Sequence, residues 1–340
     1  MDPVEALRRT AYLLERRRDL TRRVQAYRKA ADRLEEVGPD EVAQRAAAGT
    51  LTELADLGPK TATLARQALA GEVPEYLAGL EEEARAPLVE GGEELRAALR
   101  GDLHSHSDWS DGGSPIEHMA VAARAVGHDY LVLTDHSPRL TVANGLSPER
   151  LLRQLDVVVE LNERMAPFRL LTGIEVDILD DGSLDQESGL LDRLDIVVAS
   201  VHSKLRMDAD AMTRRMVRAV ANPRVDVLGH CTGRLVEGSG GTRPESAFDA
   251  DVVFAACARF DTAVEINSRP ERLDPPGRLI DLALESECRF SIDTDAHAPG
   301  QLEFQAYGAA RAVAHGVPAD RVVNTKTADD LLAWSAARRG

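Results

Sequence analysis

Nine histidines occur in the chain, at positions 104, 106, 118, 128, 136, 202, 230, 297 and 315. Six of them (His104, His106, His136, His202, His230 and His297) fall at or just past the C-terminal end of a short apolar, β-rich run. Three carboxylates occupy the same kind of position: Asp111 in HSHSDWSDG, Glu175 in TGIEVDI and Asp295 in DTDAH. Barrel enzymes assemble their sites at that end from several strands. His104 and His106 stand two apart, so their side chains face the same way, and Asp295 and His297 repeat that spacing. Neutral imidazoles interspersed with carboxylates suit Zn, Mn or Fe rather than Ca or Mg alone. Nine such groups exceed the coordination of one ion, which implies two or three divalent ions with a bridging carboxylate. His118 and His128 flank a helical stretch and His315 sits near a helix C-terminus, where a cation is welcome, so these three receive no catalytic role.

The elements that must carry these groups follow from the hydrophobic pattern. Short β-rich runs recur at Gly101–His104, Asp129–Thr134, Arg169–Ile178, Asp195–His202, Val225–His230, Thr262–Asn267 and Arg289–Thr294. Helical patterns such as Met119–Val126 and Asp208–Ala221 lie between them. Strands alternating with helices predict a parallel sheet, and seven near-continuous apolar strands predict a closed or nearly closed α/β barrel over 101–340. Residues 1–80 read as all helical: Val4, Leu7, Leu13, Leu14, Leu20, Val24, Tyr27, Ala31 and Leu34 recur at three- and four-residue steps. Gly38-Pro39-Asp40 ends that run, and helical stretches lie either side of Leu57-Gly58-Pro59. The acidic, Gly91-Gly92-interrupted stretch 81–100 reads as a linker.

With 340 residues, 44% hydrophobic and 29% charged, the chain can bury a sizeable core in one large or two ordinary domains. Its formal net charge is −16, which excludes a uniformly basic nucleic-acid coat. The charge is uneven: residues 1–34 hold ten Lys/Arg against five Asp/Glu, residues 35–100 hold six against fourteen, and residues 101–340 hold 25 against 38. Only the first segment is basic. Cys231, Cys257 and Cys288 are too few and scattered for a disulfide framework or a CxxC zinc site, so a reducing compartment is expected. The first residues lack the apolar run of a signal peptide, and no stretch approaches 18 uncharged apolar residues, so a cytoplasmic protein without membrane spans is expected.

In order, GDLHSHSDWSDG, LTDHS, GIEVDI, ASVHS, LGHCTGRL and TDAH resemble the motifs of the PHP domain, named for polymerase and histidinol phosphatase. The resemblance runs from residue 101 to about 335, and is closest to the PHP domain that ends bacterial family X DNA polymerases. Cys231 stands where that family usually has proline. The resemblance implies a distorted (β/α)7 barrel and a metal-dependent phosphoesterase. One ion would take His104, His106, Glu175 and Asp295, a second Glu175, His202 and His230, and a third Asp111, His136 and His297. A hydroxide held by metal would attack phosphorus in line, with Glu175, Asp295, His104 and Arg234 at the catalytic centre. Lys204, Arg234 and Arg269 follow ligand-bearing strand ends and are the candidates for holding substrate phosphate, with Asn267 as a neutral donor.

Residues 20–80 resemble the small helix-hairpin-helix domain at the N-terminus of family X polymerases, whose turn offers backbone N–H groups to DNA phosphates. Leu57, Gly58, Pro59, Lys60 and Thr61 match the turn and the helix start. Asp56 replaces the first glycine of that turn, and Leu64 stands where lyase-active members carry a Schiff-base lysine, so lyase activity does not carry over. The polymerase palm is absent from the short span 81–100, which excludes polymerase activity. The expected function is hydrolysis of a phosphodiester, such as 3′–5′ trimming or cleaning of a DNA 3′ end. A small phosphate ester or cyclic nucleotide, histidinol phosphate among them, is the alternative substrate, and a non-catalytic DNA-binding module is a further alternative. Oligomeric state leaves no signal in the sequence.

Overall fold

The computed structural model describes residues 1–238 and 241–339. The chain divides into two units, one of residues 1–87 with 298–301, the other of residues 88–297 with 302–340. The first unit extends past residue 80 because its last helix, Glu75–Ala84, buries Leu77 and Leu80 in the helical core. The helix Glu93–Ala98, within the stretch expected as linker, packs Leu95 and Leu99 into the core of the second unit.

In the second unit seven parallel strands lie in sequence order: β1 (Gly101–Asp102), β2 (Tyr130–Leu133), β3 (Arg169–Asp177), β4 (Ile196–Ser200), β5 (Val227–Leu228), β6 (Ala263–Asn267) and β7 (Phe290–Asp293). Helices surround them, as a distorted (β/α)7 barrel requires. Alternation along each strand divides the apolar residues between two layers. Tyr130, Val132, Leu171, Ile196, Val198, Val227 and Ala263 form one cluster with Leu331 and Trp334 of the helix Ala328–Arg339. Ile174, Val176, Val197, Ala199, Val264 and Ile266 form the other, against the surrounding helices. Burial on both faces explains why the strands read as continuous apolar runs. The ladders are shorter than those runs because the runs continue into the loops that carry the chemistry.

β1 and β7 are the two edges, and the barrel is closed there by side chains. Asn324 Nδ2 donates to Gly101 O (3.2 Å), Ile292 O (3.1 Å) and Asp293 Oδ1 (2.8 Å), while its Oδ1 accepts from Ile292 N (2.8 Å). Gln305 Nε2 donates to Gly101 O and Ile292 O, both at 2.9 Å. Asp102 accepts from Thr294 N and Asp293 from Leu103 N. These bonds satisfy edge groups that a ladder would otherwise pair. Beyond them a parallel bridge joins Ser105 to Ala296, at the end where the histidines emerge.

The helical unit contains Pro3–Arg16, Thr21–Val37, Pro39–Ala48, Pro59–Leu69 and Glu75–Ala84. The apolar periodicity of residues 4–34 reads as one run, but the helix breaks at Arg17–Leu20. Arg18 adopts a left-handed φ of 61°, and Asp19 accepts from Leu20 N (2.7 Å) and from Arg17 and Arg23. Local polar bonds there outweigh the helical pattern. Among the described residues, no helix is long and apolar enough to cross a membrane. The three cysteines are buried and free.

Candidate metal centre

β3 runs long enough to carry Glu175 into the interior, where its side chain is 1% exposed. Five imidazoles converge on that one carboxylate. His202 Nε2 (3.2 Å) and His230 Nε2 (2.9 Å) face Oε1. His136 Nδ1 (2.9 Å), His104 Nε2 (3.3 Å) and His106 Nε2 (3.5 Å) face Oε2. Asp295 Oδ1 lies 3.3 Å from His106 Nε2 and 3.9 Å from His104 Nε2. To one side, Asp111 Oδ1 lies 3.5 Å from His136 Nε2 and 3.3 Å from His297 Nε2. All nine residues expected to act together are therefore within one continuous cluster, contributed by the loops or ends of β1, β2, β3, β4, β5 and β7.

Two features fit this cluster to divalent cations. First, two rings are turned by acceptors on their outer nitrogen. His104 Nδ1 donates to Glu265 Oε1 (2.6 Å) and His202 Nδ1 to Asp177 Oδ1 (2.5 Å). Each leaves the Nε2 lone pair facing Glu175, the arrangement metal-binding histidines adopt. Second, His104 Nε2, both ring nitrogens of His106, His136 Nδ1 and Glu175 Oε2 are buried and make no hydrogen bond. Buried lone pairs converging without donors are costly, and a shared cation satisfies them together. Ligand atoms of His106, Asp111, His136 and His297 lie within 4.8 Å of one another, as do those of His104, His106 and Glu175, and those of His136, Glu175 and His202.

The charges of the cluster also act on one another. Burial alone would raise the Glu175 carboxyl, but His104, His202 and His136 outweigh it and hold it well below the usual carboxylate range. Burial opposes protonation of His104 too, yet Glu175, Glu265 and Asp295 push it well up. His106 goes the other way, driven down by burial and by His297 and His136. Asp295 stays ionised against its burial through His104 and Arg272.

The phosphate candidates are placed less uniformly. Asn267, at the end of β6, is fully buried and donates through Nδ2 to Glu265 Oε2 and Asp295 Oδ2, both at 3.2 Å. Arg269 donates to Asp295 O (3.2 Å) and pairs with Glu271 (2.7 Å). The Lys204 ammonium pairs with Asp180 on an exposed loop. The Arg234 guanidinium donates to Arg272 O (3.0 Å) and Leu273 O and pairs with Glu245 (3.3 Å), so it braces the 271–273 loop. Two arginines touch the centre: Arg272 Nε donates to Asp295 Oδ2 (3.1 Å), and Arg269 Nη1 lies 3.0 Å from His297 Nδ1. Sequence reasoning missed Arg272, Glu265 and Asp177. Spacing could have found the last two, since Asp177 lies two residues after Glu175 and Glu265 two before Asn267, on the same strand faces.

In the helical unit, Asp56 holds a left-handed φ of 64°, at the position where the resembled turn has glycine. Gly58 N donates to Thr61 Oγ1 (3.0 Å), so one N–H of that turn is already used. Leu57 and Thr61 are buried, and Lys60 is exposed.

Residues 102–268 match the family model of the PHP domain. Over 236 residues the chain is 37% identical to "DNA polymerase/3'-5' exonuclease PolX" of Bacillus subtilis (strain 168), covering 69% of this chain and 41% of that protein. Over 207 residues it is 28% identical to a protein of Thermoanaerobacter sp. (strain X514) named "Probable phosphatase", covering 58% of this chain and 78% of that one. A crystal structure of histidinol phosphate phosphatase from Lactococcus lactis subsp. lactis, complexed with Zn, L-histidinol and phosphate, aligns with a TM-score of 0.46 at 16% identity, over 65% of this chain and 95% of that one. The seven-stranded parallel barrel belongs to the class in which strand-end loops build a polar site. Within that class, residues 102–268 are a PHP domain.

Proposed function

We propose that the barrel is a metal-dependent phosphoesterase whose preferred substrate is a phosphodiester. The observation that carries this reading is a single buried carboxylate, Glu175, faced by five imidazoles within a PHP domain. His104, His106, Glu175 and Asp295 would hold one ion, Glu175, His202 and His230 a second, and Asp111, His136 and His297 a third. Zn, Mn or Fe suit these donors. Such ions supply Lewis acidity, acidifying water and neutralising charge on phosphoryl oxygens. The chain's own residues do the rest. Glu265 and Asp177 fix the tautomers of His104 and His202. Asn267 and Arg272 hold Asp295, and Arg269 places a guanidinium beside it for phosphate.

A DNA 3′ end is the favoured diester, because the relative named a 3′–5′ exonuclease shares 37% identity and residues 20–80 resemble a helix-hairpin-helix module. In that reading DNA meets the helical unit at Leu57, Gly58, Lys60 and Thr61, chiefly through Lys60 and the backbone of the turn. A small phosphate ester is the second reading. It is favoured by the pairing of Arg8, Arg9, Arg17, Arg23, Arg28 and Arg33 with carboxylates, which leaves little of the basic segment for phosphate. A cytoplasmic setting suits both.

Purified protein with Mn²⁺ should hydrolyse bis-p-nitrophenyl phosphate, and His104→Ala should abolish the activity. A metal-loaded wild type inactive on this diester and on p-nitrophenyl phosphate overturns the enzyme reading. 5′-Labelled single-stranded and recessed DNA, compared with histidinol phosphate and cyclic AMP, decide between a DNA end and a small phosphate ester, and histidinol phosphate alone is the monoester among them.

A further inference from the structure

Asp135, the residue before His136, is 1% exposed and is not among the nine clustered residues. Its carboxylate accepts four hydrogen bonds. Oδ1 takes Ser107 N (2.8 Å) and Ser110 Oγ (2.5 Å), and Oδ2 takes Ser107 Oγ and Gln154 Nε2, both at 2.6 Å. Gln154 comes from the helix Pro148–Met165, and the two serines from the loop after His106. A buried charge is expensive, and four donors are what a carboxylate needs to tolerate it.

The loop those serines belong to carries Asp111. Its other end is pinned as well: Gly113 N donates to His297 O (2.7 Å), and Gly112 N to Ser107 O (2.9 Å). A Cβ on Gly112 would meet Ser107 O at 2.6 Å, so the closure admits only glycine. The loop is thus tied to the residue beside His136 and to His297 itself, and Asp111 completes a trio with those two imidazoles. The Asp111 side chain is the most exposed of the nine, at 37%; besides the two imidazoles it meets Ser110 Oγ, at a long 3.5 Å. Its place is set by the loop.

We propose that Asp135 is a positioning residue: it clamps the 107–113 loop so that Asp111, His136 and His297 form one metal position, separately from the position or positions around Glu175. This rests on the metal-dependent reading above. Asp135 is enclosed by its donors and touches no substrate.

The test is titration of the metal-free full chain with Mn²⁺ by calorimetry, with bound metal counted by elemental analysis. Asp135→Ala should weaken one class of site by about 10–100-fold, the usual cost of losing a supporting partner, and leave the others at wild-type affinity. Ser110→Ala and Gln154→Ala each remove one of the four bonds and should weaken the same class by a smaller factor, which keeps the test open if Asp135→Ala fails to fold. Asp135→Asn should restore most of the affinity, because the Ser107 hydroxyl and the Gln154 amide can reverse to match it. Folded variants with every class unchanged, or with all classes weakened alike, overturn the clamp while leaving the phosphoesterase reading intact. A wild type that takes up no Mn²⁺ instead overturns that reading and the clamp with it.

Discussion

The helical unit and the barrel are both rich in charge, but they arrange it in opposite ways. In the helical unit arginines meet carboxylates: Arg8 with Glu35 (2.6 Å), Arg9 with Glu81 (2.7 Å), Arg33 with Glu36 (2.7 Å) and, buried, Arg28 with Glu15. The basic excess of residues 1–34 is thereby largely paired within the unit. In the barrel the central carboxylate meets imidazoles, several of whose nitrogens lack a donor or acceptor. The lesson is that net charge locates neither site nor partner. What matters is whether charges are answered by side chains, as in the first unit, or converge in a way that calls for cations, as in the second.

The largest effect that would break this contrast is at Glu175. Glu175→Ala should lower Mn²⁺-dependent hydrolysis by at least about 1,000-fold, near 4 kcal/mol of barrel function, and reduce the metal bound per chain. Retained activity would mean the converging imidazoles do not depend on that carboxylate. Next is the buried pair in the helical unit. Burial raises the Glu15 carboxyl despite Arg28 beside it, so Arg28→Met, which strands a buried acid, should cost about 3–5 kcal/mol in urea unfolding. A loss below about 1 kcal/mol would show that this unit does not depend on its pairing.

His128 gives a smaller, pH-dependent effect. Its Nε2 donates to Gln305 Oε1 (2.9 Å), which orients the amide that bridges β1 and β7. Burial, and then Arg96, push its pKa down to about 3. The fold keeps it neutral while the unfolded chain protonates near 6.5, so its contribution is complete above that pH and is lost as pH falls towards 3. Between pH 7.5 and 4.5 the metal-free wild type should lose about 2–3 kcal/mol more stability than His128→Gln. Equal losses would remove His128 from the account. The smallest effect is on the helical surface: Arg8→Ala should change stability by less than about 0.5 kcal/mol, and less still in 1 M salt.

Much of this was legible in the sequence because it is local. The seven apolar runs predict the seven strands, and the period of two predicts that His104 and His106 share a direction. The break at Arg17–Leu20 was not legible, because apolar spacing continues across it while Asp19 and Arg18 redirect the chain. The partners of Arg234 were not legible for a related reason. A cation after a ligand-bearing strand looks like a phosphate ligand, but its guanidinium finds carbonyls of the 271–273 loop, 38 and 39 residues away in sequence.

The sequence alone determined the order of the strands, the donor types at their ends and hence the class of ions they suit. These follow from period, residue chemistry and chain order. Only the tertiary structure decided that Glu175 is the carboxylate all five imidazoles face, that Asn324 and Gln305 close the β1–β7 edge, and that Asp135 ties the Asp111 loop to β2. Each joins residues far apart in the chain. Barrel closure fixes which side chains meet, and no local pattern records which partner a buried polar group will find.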